Sequence, residues 1–216
     1  MNTVILDLEF TRLNPKCVEE RKICKYEVIQ IGAVKLNSQN EIISRFNTLV
    51  KPTYSEIQAK VTELTHISDV MVQTAPSYTK ALRDFLAWVG DEDVIIYSWS
   101  ETDKVQLDQE STLKGCKTEQ LTRLLNNWID LQLLVGNLLG IQQQLSLANA
   151  LRGTGILYIG NEHSALDDAE NTARLYRLTK DEKKFKEKAA PVLELLEPKE
   201  SLTYSLGSLF ENIKIA

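Results

Sequence analysis

The chain has 216 residues, of which 43% are hydrophobic and 25% charged, with a formal net charge of -5. This length favours one domain with a tail and a sizeable core, the composition is that of a soluble globular protein, and the acidic balance argues against a general nucleic-acid coat protein. No segment approaches the run of about 18 apolar residues that a membrane span needs, and residue 1 leads straight into a strand pattern without a signal sequence, so a cytoplasmic protein with no membrane attachment is expected.

Val4 to Phe10 alternates and reads as a strand, with Asp7 and Glu9 on one side and Leu6, Leu8 and Phe10 on the other. Thr11 to Lys25 is irregular and charged. Its cations, Arg12, Lys16, Arg21, Lys22 and Lys25, outnumber Glu19 and Glu20, which suits either a phosphate track or a solvated loop. Cys17, Cys24 and Cys116 have neither a CxxC spacing nor an even count, so reduced thiols are expected. Val28 to Leu36 and Ile42 to Val50 form a hairpin around Asn37-Ser38-Gln39-Asn40, ended by Pro52. His66 falls in a loop, Leu64-Thr65-His66-Ile67.

From Ala75-Pro76 the residues Tyr78, Leu82, Phe85, Leu86 and Val89 fall at helical spacing, with Pro76 suited to the first turn and Gly90 to the end. Val94 to Trp99 is a buried strand, Asp103 to Leu113 a helix, and Trp128 to Leu131 a short strand leading into Leu133 to Leu139. Ser146 to Arg152 is a short helix closed by Gly153, and Ala165 to Thr179 a longer one. Three strands, then strands alternating with helices, predict an α/β fold with a mixed five-stranded sheet flanked by helices. Beyond a domain spanning residues 1–180, the extension 181–216 holds a charged helical stretch, Lys180 to Lys188, and an apolar patch, Pro191 to Leu196. A hydrophobic end with Leu202, Tyr204, Leu206, Leu209, Phe210 and Ile213 follows. It is expected to pack on the domain, or to dock a partner protein or a second copy.

The chemistry-bearing residues are spread over three places. Asp7 and Glu9 share one strand face among apolar neighbours, which costs free energy unless a cation or solvent offsets the two charges. Such a pair alone is compatible with simple solvation. Asp103 follows the carboxyl end of an apolar strand, a common place for ligand groups in α/β sheets and also for a helix-capping acid. His163 and Asp168 would be too far round one helix to share a target, but they converge if His163 precedes the helix and Asp168 lies in its first turns. Ala165, Ala169, Thr172 and Ala173 give that helix a side of small residues, able to approach the sheet closely.

In this order, Asp7-x-Glu9, Asp103 and His163-x-Ala165-x-x-Asp168 resemble the DEDDh 3′-to-5′ exonucleases, the DnaQ-like branch of the ribonuclease H-like fold. Glu27 to Val34, Leu64 to Ser68 and the helix opening Ala75-Pro76 are also similar, so the likeness covers about residues 3 to 180. Asp7 to Thr11, Trp99-Ser100-x-x-Asp103 and Asp168 to Arg174 look most like the small KapD-like and Eri-type exoribonucleases. One departure is Thr102, where the family commonly has an aromatic residue before the middle Asp.

The resemblance implies hydrolysis of single-stranded nucleic acid, RNA favoured, from its 3′-end to nucleoside 5′-monophosphates. Four carboxylates and no cysteine favour two Mg²⁺ or Mn²⁺ ions over zinc. By resemblance Asp7 bridges the ions, Glu9 and Asp168 hold the nucleophile side, Asp103 acts through bound water, and His163 takes the proton from the attacking water. Phe10, Thr11, Leu64 and Thr65 are expected beside the terminal nucleotide; Phe10 also fits a core position. The competing readings are a DNA proofreading or repair exonuclease and a non-catalytic binding module of the same fold. A small-molecule phosphatase is disfavoured, because Gly153, Gly155 and Gly160 lack P-loop spacing.

Overall fold

A computed structural model of the chain describes residues 1–141 and 144–196, without the side chains of 191–196. β1 (Asn2–Arg12), β2 (Tyr26–Leu36) and β3 (Ile42–Leu49) form an antiparallel meander. β4 (Val94–Ser98) and β5 (Trp128–Asp130) continue it in parallel, giving the order β3-β2-β1-β4-β5. This is the mixed five-stranded sheet expected from the sequence. The helices in chain order are α1 (Glu20–Ile23), α2 (Ala59–Thr65), α3 (Asp69–Val72), α4 (Tyr78–Val89), α5 (Thr102–Leu113), α6 (Glu119–Asn126), α7 (Leu131–Leu139), α8 (Leu147–Gly153), α9 (Ala165–Thr179) and α10 (Glu182–Leu196).

Strand alternation divides the core. Val4, Leu6 and Leu8 of β1 pack with Tyr78, Phe85 and Leu107 from α4 and α5, while Ile5 faces Leu175 and Tyr176 of α9 and Val135 of α7. Asp7 and Glu9, in phase with Ile5, therefore lie on the α9 side. The β1–β2 register shifts between Glu9 and Phe10, and the residue left over on β2, Ile29, is fully buried. It anchors a third cluster with Ile57, Ile67 and Val72, which holds the α2–α3 segment beside the end of β1.

Two contacts fix the helices that carry acidic residues. Glu110 of α5, fully buried, accepts from Val28 N at 2.8 Å and Gln106 Nε2 at 2.8 Å and pairs with Lys114 at 2.7 Å. Lys114 also reaches buried Glu27, whose carboxylate accepts from Thr53 N and Tyr54 N. On the other face α9 lies flush on the sheet: a Cβ built on Gly32 would sit 2.1 Å from the carbonyl carbon of Ala165 and 2.2 Å from Leu166 N. Ala165, Ala169 and Ala173 are fully buried. Gly32 is the register partner of Asp7, so the closest approach of α9 falls beside that carboxylate.

Three features differ from the sequence reading. Helices α1, α2, α3 and α6 were not expected. Pro76 lies ahead of α4 rather than in its first turn, because its carbonyl accepts from Lys51 N and the chain is still bridged to Lys51 at Ser77. α10 runs as one helix through Pro191, with Phe185 and Ala189 buried against the second core cluster. The hydrophobic end from Leu202 to Ile213, with its expected docking role, lies outside the described residues.

Gly32→Ala places a methyl group inside the α9 backbone and is expected to cost about 1–3 kcal/mol of stability or more, as overpacking does. Thermal denaturation checks this, and an unchanged melting temperature would contradict the flush packing.

Candidate active site

The carboxyl end of the parallel strands, the end of β1 and the start of α9 enclose a cleft of about 480 Å³. Asp7, Glu9, Asp103, His163 and Asp168 all line it, so residues up to 161 positions apart in sequence meet in one place. Phe10, Leu64 and Thr65 line the same cleft, as do Trp99, Thr102 and Leu147. Phe10 also packs on the first core cluster and on Tyr26, with ring centroids 5.3 Å apart, so it combines a core position with a place in the cleft wall. The Thr65 hydroxyl is engaged by Val61 O and Ile67 N, leaving mainly apolar surface to the cleft. Thr11 differs: it is fully buried, its Oγ1 has no partner among the described residues, and it is not part of the cleft wall.

Asp168 is held on both oxygens. Tyr158 donates its hydroxyl to Oδ1 at 2.8 Å, and His163 donates its backbone N–H to Oδ2 at 2.9 Å. His163 precedes α9 with φ 64°, a left-handed conformation uncommon for a side-chain-bearing residue and one that costs on the order of 1 kcal/mol or more. The turn lets His163 and Asp168 converge. Ligand atoms of Glu9, His163 and Asp168 lie within 4.8 Å of one another. Gln30, opposite Glu9 on β2, accepts from Ala165 N at 3.1 Å and donates to Asn47 at 2.9 Å, thereby tying the first turn of α9 to the sheet. Asp103 lies in the first turn of α5 and accepts from Leu8 N at 3.1 Å.

Burial and mutual repulsion set the electrostatics. Burial, then Asp103, Asp168 and Glu9, hold the Asp7 carboxyl well above the usual carboxylate range. Glu9 is pushed up to about 8 by burial and then by Asp168 and Asp103. Asp103 is raised to about 7, chiefly by burial, against the lowering effect of the Leu8 N–H. Asp168 is raised by burial and partly restrained by Tyr158 and His163. Among the described residues no hydrogen bond or cation stabilises Asp7 or Glu9. Clustered, desolvated carboxylates without such partners, with an imidazole and no thiolate, fit a hard divalent cation held by oxygen ligands. Its charge would reverse the upward shifts.

Tyr158 and Gln30 were not singled out from the sequence as parts of this site. A polar Gln30 inside the apolar run Val28 to Val34 was a readable signal; Tyr158, in a glycine-flanked segment, gave none.

Residues 4–176 match the RNase_T family model, described as an exonuclease. ERI1 exoribonuclease 2 of Xenopus laevis is 31% identical over 197 residues, covering 80% of this chain and 27% of that protein. The PolC-type DNA polymerase III of Clostridium perfringens is also 31% identical, over 182 residues, 82% of this chain and 11% of that protein. The chain thus spans only about a quarter or less of the length of these two relatives. Among solved structures, the nuclease domain of 3′hExo, a DEDDh family member bound to rAMP, superimposes with a TM-score of 0.69 at 24% identity, covering 83% of this chain and 92% of that one. The shared fold is the ribonuclease H-like one.

Without divalent cations, native Glu9 keeps a proton that the unfolded chain has already lost, so its contribution to stability disappears as pH rises from about 4.5 through about 8. Glu9→Gln removes this loss. The melting temperature of the variant relative to wild type, measured in chelator, should therefore climb between about pH 5 and pH 9; a flat difference would contradict the burial of Glu9.

Proposed function

Because the chain belongs to the DEDDh exonucleases of the RNase_T family, we propose that it hydrolyses single-stranded nucleic acid from the 3′-end, with RNA as the preferred polymer and nucleoside 5′-monophosphates as products. The observation that carries this reading is the meeting of Asp7, Glu9, Asp103, Asp168 and His163 in one cleft. The activity resides in residues 1–180, with 181–216 as an extension.

In this reading Asp7, Glu9, Asp103 and Asp168 hold two Mg²⁺ or Mn²⁺ ions. When bound, these supply Lewis-acid activation of water and neutralisation of charge developing at the phosphate. Asp7 and Glu9, without partners among the described residues, would offer their oxygens directly, and Asp103, already engaged with Leu8 N, would act chiefly through bound water. Tyr158 and the His163 backbone fix the rotation of the Asp168 carboxylate. The exposed His163 ring takes the proton from the attacking water on a ring nitrogen. Phe10 and Leu64 flank the terminal base and contribute stacking and apolar contact that tolerate any sequence, with Thr65 beside them. Trp99, in the wall near Thr102, supplies aromatic surface in a chain that lacks the family's aromatic residue before the middle Asp.

The likeness to an ERI1 exoribonuclease favours RNA, whereas the comparable identity to a PolC-type polymerase keeps DNA as the second reading. A cytoplasmic setting belongs to the same proposal and is supported by three cysteines that are all free thiols. Among the described residues no helix is long and apolar enough to cross a membrane.

Incubation of matched 5′-labelled single-stranded RNA and DNA with Mg²⁺ or Mn²⁺ tests the proposal. The expected result is a ladder shortening from the 3′-end, faster on RNA, abolished by chelator and slowed by about 10³-fold or more in Asp7→Ala, equivalent to ~4 kcal/mol of barrier. Faster loss of DNA would transfer the assignment to the second reading. Binding without cleavage of either polymer would indicate a non-catalytic module.

A further inference from the structure

α7 is apolar on nearly all sides, since only Gln132, Gly136 and Asn137 interrupt its leucines and valine. Leu131, Val135 and Leu139, at four-residue spacing, are buried in the second core cluster, where Phe185 and Ala189 of α10 join them. Another side of the helix carries Leu133, Leu134 and Leu138. With Trp128 and Ile129 of β5 these line a groove of about 540 Å³, completed by Asp130 and Asn137. Leu133 is 63% exposed there. β5 is an edge of the sheet and pairs with β4 alone among the described residues. A helix apolar all round is ordinarily buried, and a sheet edge is ordinarily covered, so this groove calls for an apolar occupant.

The chain itself supplies one. α10 packs against α7, α8 and α9 and ends at Leu196, and residues 197–216 follow it. In that sequence Leu202, Leu206, Leu209, Phe210 and Ile213 recur at the spacing of one helix face, while Ser205, Ser208, Glu211 and Asn212 fall elsewhere. The reach is sufficient: the stretch from Leu196 to Leu202 spans up to about 20 Å when extended, whereas a helix with its side chains is about 10 Å across. The lengths agree as well, because an apolar face from Leu202 to Ile213 extends about 16 Å and α7 about 12 Å, with the β5 residues of the groove beyond it.

We propose that residues 202–213 of this chain seat in the groove between β5 and α7, with their apolar residues against Ile129, Leu133, Leu134 and Leu138. Burial of large apolar side chains from both sides drives the contact and takes Leu133 out of water. Because the segment is tethered to α10, beside the helix it covers, the contact forms within one molecule whatever the protein concentration.

Hydrogen exchange of the full chain, read by mass spectrometry, tests the proposal. In wild type the amides of residues 202–213 should exchange at least about 10-fold more slowly than an unstructured chain, and this protection should be unchanged on about 10-fold dilution. Leu133→Gln keeps a good helix former at an exposed position, and circular dichroism verifies its fold. It should speed exchange of the segment about 10-fold or more, the effect of losing one buried leucine. Leu209→Ser combined with Phe210→Ser, which alters no described residue, should in turn speed exchange in α7. Exchange at the unstructured rate in wild type would overturn the proposal. Protection that survives Leu133→Gln would place the segment elsewhere and overturn it too. Protection lost on dilution, together with a change from dimer to monomer in sedimentation, would assign the groove to a second copy of the chain and overturn it as well.

Discussion

The close contact between α9 and the sheet at Gly32 is the constraint on which the site depends. No side chain fits there, and the fully buried alanines of α9 let the helix backbone rest against β2. Gly32 is paired with Asp7, so the first turns of α9 are brought to the one strand that carries two acids on its α9 face. A bulkier residue at either surface would separate Asp168 from Asp7 and Glu9 and dissolve the cluster. Gln30 strengthens the same contact by accepting the Ala165 N–H, a capping bond that Ser164 at the N-terminus of α9 does not make with its side chain.

The carboxylates are supported unequally. Asp103 and Asp168 receive hydrogen bonds from Leu8 N, Tyr158 and His163 N, which orient them and partly offset burial. Asp7 and Glu9 receive none among the described residues, and they experience the repulsion of the others. Such an arrangement is unfavourable by itself and becomes favourable with bound positive charge. The two groups left without protein partners are the ones the proposed function makes direct cation ligands. Elsewhere the buried charges are partnered: Lys114 pairs with both Glu27 and Glu110, and the two carboxylates accept backbone N–H groups, holding α5 to β2. The contrast between a self-sufficient buried network and an unsatisfied one, in the same small domain, separates structural from functional burial.

Much of this was legible in the sequence. The alternation of β1 separated Asp7 and Glu9 from Leu6 and Leu8, α9 was read with its observed bounds and its small-residue side foretold the close approach to the sheet, and convergence of His163 with Asp168 at five-residue spacing required His163 to precede the helix, as it does. Short helices escaped for different reasons. α1 and α3, four residues each, are too short for a helical period to show, whereas α6 carried Leu121, Leu124 and Leu125 behind a Thr118 cap and was readable. The bulge at Glu9/Phe10 had no local signature, yet it frees Ile29 to anchor the segment bearing Leu64 and Thr65. Tyr158 likewise acquires its role only through a tertiary contact with Asp168.

In the proposed function these acids form one cation-binding unit whose protonation is set by their crowding. Calorimetric titration of the metal-free protein with Mn²⁺ in buffers of different ionisation enthalpy tests it most directly. With Glu9 raised to about 8 and Asp103 to about 7, binding near pH 7 should release protons, and the release should fade toward pH 9 as the groups ionise beforehand. Binding at pH 7 with no proton release, or no binding at all, would contradict the account.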